Sequence, residues 1–184
     1  MTESNAEEKP EVTAPVLPEE ALPEDLAQAL GAALLASSVR GDTIDLTVRP
    51  EAIVEVARAL RDREAGRYEF LSSLCGVDYG DDLGVVYHLY QVGKPTRVVI
   101  HVRLPRSDPR LPSIAAVLPA ADWNEREAME LFGIVFEGHP DPRNLLLPDG
   151  WEGFPLRKDY VYPMEHPYLR PDPRHELHAE GTED

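Results

Sequence analysis

The chain has 184 residues, of which 42% are apolar and 28% charged, a composition typical of one globular domain with tails. Its formal net charge of −16 argues against nucleic acid as a partner, because an acidic surface repels phosphate backbones. No stretch reaches the ~18 consecutive apolar residues of a membrane-spanning helix, and the single cysteine excludes an intramolecular disulfide and a cluster held by several thiolates.

The two ends of the chain are acidic and rich in proline. Residues 1–25 contain eight acidic residues and one basic residue, and the first of them do not resemble a signal peptide. Residues 163–184 contain six acidic and two basic residues. We expect residues 1–18 and 163–184 to be mobile tails around an α+β domain at 19–133 and an extended segment at 134–162.

The first half of the domain shows clear periodicities. A helix is predicted after Pro23, and residues 42–49 alternate between apolar and polar side chains as a half-buried strand does. A second helix is predicted to begin at Pro50. The apolar stripe of the first helix consists of Leu26, Leu30, Ala33 and Leu34, and that of the second consists of Ile53, Val54, Ala57 and Leu60.

Three further strands follow. Residues 68–75 predict a strand that ends at Gly76, with Cys75 as a small buried hydrophobic residue. Residues 85–92 and 97–104 predict a hairpin around a Gly- and Pro-containing turn. Prolines then leave room only for a short helical stretch near 114–117. This order predicts a two-layer α+β domain with helices on one face of a mostly antiparallel sheet.

Residues 122–133 predict one more helix, with Asp122 as the N-cap, Glu125 reaching back to it and Gly133 as the terminating residue. Trp123, Arg126, Glu127 and Glu130 fall on one side of this helix. This stripe is either an ordinary solvated face or a binding face.

Segment 134–162 favours the binding interpretation. Its glycines and prolines forbid long helices and strands, yet it is rich in aromatic and aliphatic residues, which disordered linkers lack. An irregular segment with so many apolar side chains fits one that buries them partly against another protein.

Other chemistry is weakly indicated. Glu125, Glu127 and Glu130 could be the paired carboxylates of a free-standing hydrolase, but they share one helix rather than flank a cleft. His88 and His101 lie on the two hairpin strands and are expected to be cross-strand polar neighbours. His166, His175 and His178 would hold a metal only at a high ordering cost. The chain lacks glycine-rich phosphate-binding motifs, so we expect no cofactor in it and no activity of the isolated chain.

The dense motifs of the C-terminal half resemble a known family. The strings ERExxELFGI at 125–134, FEGHPDPR at 136–143 and PLRKDY at 155–160 are similar to the signature of the C subunit of NADH-quinone oxidoreductase, the small hydrophilic subunit of bacterial respiratory complex I. An earlier block from Phe70 to Tyr79 and the DPRLP run at 108–112 are also similar to that family.

This resemblance implies a non-redox scaffold subunit in the peripheral arm of a proton-translocating NADH:quinone oxidoreductase, on the cytoplasmic side of the inner membrane. The large D subunit, which helps form the quinone site, would be its main partner, with iron–sulfur subunits nearby and membrane contact only indirect. FMN and iron–sulfur clusters would belong to partner subunits. The same domain recurs in related membrane-bound hydrogenases and ferredoxin:quinone assemblies, so an equivalent subunit there remains an alternative.

The resemblance and the charge pattern together predict a set of partner-binding residues. These are Glu125, Arg126, Glu127, Glu130, His139, Asp141, Arg143, Arg157, Lys158, Asp159 and Tyr160. No catalytic, cofactor-binding or metal-binding residue is predicted.

Overall fold

The computed structural model describes residues 21–162. The predicted tails at 1–18 and 163–184, and the three C-terminal histidines, lie outside this range. The α-helices are α1 (Glu24–Leu30), α2 (Ile53–Arg61) and α3 (Ala121–Phe132), and short 3-10 helices span Gly31–Ala33 and Pro50–Ala52. The strands are β1 (Leu34–Arg40), β2 (Thr43–Val48), β3 (Phe70–Asp78), β4 (Asp82–Tyr90), β5 (Arg97–Pro105), β6 (Arg110–Pro112) and β7 (Val135–Glu137).

The main sheet has five strands in the order β1-β2-β5-β4-β3. Only the central pair, β2 and β5, is parallel, so the prediction of a mostly antiparallel sheet is confirmed. The predicted hairpin is also confirmed, as β4 and β5 pair with Val85 opposite Val102.

The helices lie on one face of this sheet. Alternate residues of the central strands, such as Leu46, Tyr87 and Ile100, form one buried cluster with the apolar faces of α1 and α2. Val86 and Val99, on the opposite face, lie outside that cluster. This two-layer arrangement is the predicted one.

Three predicted elements differ from the structure. Leu34 does not continue the first helix but begins β1, which pairs with β2. Residues 114–117 form a turn in which Ile114 accepts hydrogen bonds from the amides of Val117 and Leu118. The start of segment 134–162 is regular, because β7 pairs in parallel with β6.

The prediction that Cys75 is buried is wrong, because this cysteine is exposed. The pairing of β3 with β4 shifts between Leu71 and Ser73, and this irregularity exchanges the two faces of the strand. Leu71 and Leu74 therefore point into the core, whereas Cys75 points to the opposite face.

Gly76 and Gly133 place α3 against the sheet. A side chain at Gly76 would lie 2.4 Å from the ring of Phe132, so only glycine allows α3 to approach β3 this closely. Gly133 ends the helix in the left-handed conformation (φ 68°), as predicted from the sequence. No helix within residues 21–162 has the length and apolar character needed to cross a membrane.

Candidate functional site

Glu130 of α3 binds the backbone of segment 134–162. Its buried carboxylate accepts hydrogen bonds from three consecutive amides, those of Leu145 and Leu146 at 2.8 Å and Leu147 at 3.2 Å. Hydrogen bonds to an ionised acceptor are stronger than neutral ones. Glu130 therefore fixes this part of the segment through its main chain and leaves the three leucine side chains unconstrained by the contact.

Arg126, one turn earlier on α3, binds the residues just before them. Its guanidinium donates to the carbonyl oxygens of Arg143 at 2.8 Å and Asn144 at 2.9 Å. The side chain of Arg143 itself points outward, 78% exposed, and pairs with Asp141 at 2.6 and 2.7 Å. Those hydrogen bonds from Arg143 hold the pKa of Asp141 below its usual value.

Asp78, at the end of β3, attaches the far end of the segment. Its buried carboxylate accepts hydrogen bonds from Arg106 at 2.8 Å, from the amide of Lys158 at 2.8 Å and from the amide of Gly80 at 2.7 Å. The hydrogen bond from Arg106 is the main reason that the pKa of Asp78 lies well below its usual value. Arg106 also pairs with Asp159, so one cation joins the domain to two points of the segment.

Arg157 adds a fourth attachment. It donates to the carbonyl oxygen of Phe132 at 2.6 Å and lies over the ring of Phe154, with 4.5 Å between the guanidinium carbon and the ring centroid. The neighbouring amide of Leu156 donates to Leu131 at 3.1 Å. Burial lowers the pKa of Arg157, and nearby Arg106 acts in the same direction.

Glu125 lies inside the domain and does not cap α3. The helix begins at Ala121 without a side-chain cap, so the predicted capping role of Asp122 is wrong. Glu125 instead accepts hydrogen bonds from the Ser113 hydroxyl at 2.5 Å and the Ile114 amide at 2.8 Å. Burial raises the pKa of this carboxyl above its usual value.

His139 joins segment 134–162 to the start of α3. Its Nε2–H group donates to the carbonyl oxygen of Asp122 at 3.1 Å, while Nδ1 accepts from the Asp141 amide at 3.0 Å. An Nδ1 that accepts a hydrogen bond carries no proton, so these contacts require the ring proton on Nε2. Nε2 lies 3.7 Å from Glu125.

The outer side of the segment is apolar. The aromatic ring of Tyr160 packs edge-on against that of Tyr162 at 5.0 Å, and the Tyr160 hydroxyl donates to the carbonyl oxygen of Glu152. The exposed large apolar side chains of the segment are Val135, Leu146, Phe154, Leu156, Val161 and Tyr162, of which Val161 is 84% exposed. Beyond Ile134 and Phe136, which are buried in the core, the segment is thus bound to the domain largely by polar groups and presents several apolar groups outward.

The predicted partner-binding residues fall into two groups. Buried or half-buried within the chain are Glu125, Arg126, Glu130, His139, Asp141, Arg157 and Tyr160. Exposed are Glu127, Arg143, Lys158 and Asp159. Sequence reasoning missed Asp78 and Arg106 as attachment points. The only sequence signal for Asp78 was its place in the earlier family-like block.

The other candidate chemistry finds little geometric support. Glu125 and Glu130 are each engaged by hydrogen bonds from different parts of the chain, and Glu127 is exposed, so the three do not face a common cleft. Within residues 21–162 no group of three or more His, Cys, Asp or Glu side chains is placed to hold a metal ion. His101 lies 3.4 Å from Asp45 of β2, whereas within the hairpin His101 is paired with Val86 and His88 with Val99.

Comparison with known proteins identifies the family. Residues 46–166 match the family described as respiratory-chain NADH dehydrogenase, 30 Kd subunit. The C subunit of NADH-quinone oxidoreductase from Roseiflexus castenholzii is 48% identical over 141 residues, covering 73% of this chain and 79% of that protein. The C subunit from Thiobacillus denitrificans is 44% identical over 151 residues, covering 77% and 76%.

A solved structure shares the fold. A chain of the membrane-bound sulfane sulfur reductase (MBS), an archaeal respiratory membrane complex, matches with a TM-score of 0.60 at 23% identity, covering 74% of this chain and 81% of that chain. Because the family match extends over most of the domain and all of segment 134–162, the chain belongs to the 30 Kd subunit family of respiratory-chain NADH dehydrogenase.

Proposed function

We propose that this chain is the C subunit of a proton-translocating NADH:quinone oxidoreductase and serves there as a scaffold without a redox group of its own. The observation that carries this proposal is the two-sided construction of segment 134–162. Its backbone is bound by Glu130, Arg126 and Asp78, while several apolar side chains between residues 146 and 162 remain exposed. Membership of the family points to the enzyme, and the exposed side of the segment supplies a surface for a neighbouring subunit.

Apolar groups on an irregular segment are typical of a surface that becomes buried on assembly. Large exposed apolar patches on soluble proteins mark interaction sites, and aromatic residues are enriched at interfaces. Phe154, Leu156 and Tyr162 provide such groups, and the exposed Arg143 and Lys158 would lie at the polar rim. Charges at a rim affect association rate and specificity more than affinity.

The family resemblance points to the D subunit as the neighbour, with iron–sulfur subunits of the peripheral arm close by. In that assembly FMN and the iron–sulfur clusters reside in partner subunits, and this chain lies on the cytoplasmic side of the inner membrane, which it contacts only through its partners. Its contribution to electron transfer is to keep the neighbouring subunit in its working geometry.

The substitution Leu156→Asp tests this role. Leu156 is 50% exposed, and its amide hydrogen bond to Leu131 does not depend on its side chain, so the segment should keep its course. A charge buried in an apolar interface is strongly unfavourable. Capture of tagged full-length chain from solubilised host membranes should then recover at least about tenfold less of the D subunit, with NADH:quinone reductase activity reduced in parallel.

Leu35→Asp is the matched control, because Leu35 is 57% exposed but lies on β1, outside the segment. It should leave capture and activity unchanged, and both variants should melt at the wild-type temperature. If wild-type chain captures hydrogenase-type subunits instead, as identified by mass, the alternative assembly is correct. Equal capture by wild type and Leu156→Asp would contradict the proposed surface.

A further inference from the structure

We propose that Asp78 is a positioning residue for docking, which holds the end of segment 134–162 in its binding conformation before a partner arrives. This inference rests on the proposed function, because docking through the segment is itself a proposal. Asp78 belongs to the sheet domain rather than to the segment, so the segment would already be preorganised in the free subunit.

The contacts of Asp78 join three separate parts of the chain. Oδ1 accepts from the Gly80 amide at 2.7 Å and from Arg106 at 2.8 Å, while Oδ2 accepts from the Lys158 amide at 2.8 Å. The side chain is only 3% exposed, so water does not compete well for these positions. Lys158 is 80 residues away along the chain, and the contact therefore exists only when the segment lies against the sheet.

Asp78 and Arg106 form the last attachment of the segment. Arg106 bridges from Asp78 to Asp159, and within residues 21–162 no hydrogen bond joins a residue beyond Asp159 to the domain. Val161 and Tyr162, both exposed, follow immediately. The position of these two apolar side chains thus depends on the attachment at Lys158 together with the packing of Tyr162 against Tyr160.

The two oxygens of Asp78 have different roles, which allows a selective test. In Asp78→Asn, an amide oxygen in place of Oδ1 still accepts from Gly80 and Arg106, but the NH2 group then faces the Lys158 amide, donor against donor. The reverse orientation would set the NH2 group against two donors and is less favourable. The substitution should therefore release the end of the segment from Lys158 onward while largely keeping the contacts inside the domain.

Release of the segment weakens binding because its ordering must then occur during association. We expect the Lys158 amide of the full-length free Asp78→Asn chain to exchange with deuterium at least about tenfold faster than in wild type. Capture of the D subunit from solubilised membranes should fall about tenfold. The core amides of β4 and β5 should lose much less protection than the Lys158 amide.

Asp81→Asn is the matched control, since it removes the same charge from an exposed residue three positions away. Asp159→Ala is a second variant that removes the acceptor of Arg106 on the exposed side, where it does not endanger folding, and it should raise exchange at residues 158–160 and reduce capture.

Three results would overturn the inference. Wild-type exchange at Lys158 in Asp78→Asn would show that the carboxylate does not hold the segment. Faster exchange with undiminished capture would show that the attachment plays no part in docking. A global loss of protection in Asp78→Asn, with Asp159→Ala unchanged in exchange and capture, would assign Asp78 to domain stability alone. If wild-type chain captures no oxidoreductase subunit, the proposed function fails, and the exchange result still decides whether Asp78 holds the segment.

Discussion

The sheet and segment 134–162 both need partners for their backbone groups, and they obtain them in different ways. In the sheet, strands pair with one another and one face of apolar side chains is buried. In the segment, carboxylates and guanidinium groups of the domain bind the backbone directly, as Glu130 does for three amides. The strands thus bury their core-facing apolar groups among themselves and the helices, whereas the segment, beyond its buried Ile134 and Phe136, leaves several apolar side chains such as Leu156 and Val161 exposed.

The largest expected effect lies in the sheet. Leu46 is fully buried between strands and helices, so Leu46→Ala should lower the free energy of unfolding by about 2–5 kcal/mol. That is a large share of the roughly 5–15 kcal/mol by which a domain is stable. Urea denaturation of the full-length chain measures it. Leu156→Ala removes an exposed leucine of the segment and serves as the control, with no change in unfolding expected.

A comparable loss of stability from Leu156→Ala would mean that the segment belongs to the cooperative core. The segment would then not differ from the sheet in its contribution to stability, and Leu156 would have to contribute to packing inside the chain.

A smaller effect is expected at Glu130. In Glu130→Gln one carboxylate oxygen becomes an NH2 group, which must face at least one of the amides of residues 145–147. The loss of a charged, buried acceptor costs about 1–3 kcal/mol. Deuterium exchange at those amides should accelerate accordingly, while exchange in β4 and β5 stays at the wild-type rate.

Glu127→Gln, on the same helix but exposed, should not alter exchange at residues 145–147. If Glu130→Gln also leaves those amides protected, the segment is held by other contacts, and the role assigned to the carboxylate is incorrect.

Local patterns in the sequence predicted the regular elements that bury one face. The alternation in β2, the β4–β5 hairpin and the glycine that ends α3 are all visible in short windows. Strand β1 was missed because Val39 is its only buried residue, so it lacks the alternation that identifies a strand.

Long-range contacts could not be predicted in this way. Glu125 sits where a capping residue would, and only its distant partners Ser113 and His139 show that it is buried. The exposure of Cys75 depends on an irregular pairing of β3 with β4, and no pattern within the β3 sequence predicts that irregularity. The charged residues of α3 stand out in the sequence as one stripe, but nothing there reveals that Arg126 and Glu130 bind the chain's own backbone.

The smallest expected effect is a pH dependence that separates Glu125, inside the domain, from Asp78, at the attachment. Burial raises the pKa of Glu125 above its usual 4.5. Between pH 4.5 and that raised pKa the folded chain binds more protons than the unfolded chain, so the free energy of unfolding falls as pH rises. In Glu125→Gln the amide oxygen can accept from Ile114, and its NH2 group can donate to the Ser113 hydroxyl. This variant should therefore gain in unfolding free energy relative to wild type as pH rises above 4.5.

Asp78 should show the opposite sign. Hydrogen bonds from Arg106 and the two amides lower its pKa, so its contribution is fully present above the usual value of 3.8 and is lost as pH falls below it. The deficit of Asp78→Asn relative to wild type should thus shrink in acid, whereas Glu125→Gln should lose its relative advantage there. Urea denaturation at a series of pH values from about 3 to about 8 compares the two directly. If the pH curves of both variants run parallel to the wild-type curve, neither carboxyl has a pKa that differs between the folded and unfolded chains. The electrostatic distinction between Glu125 in the core and Asp78 at the attachment would then be wrong.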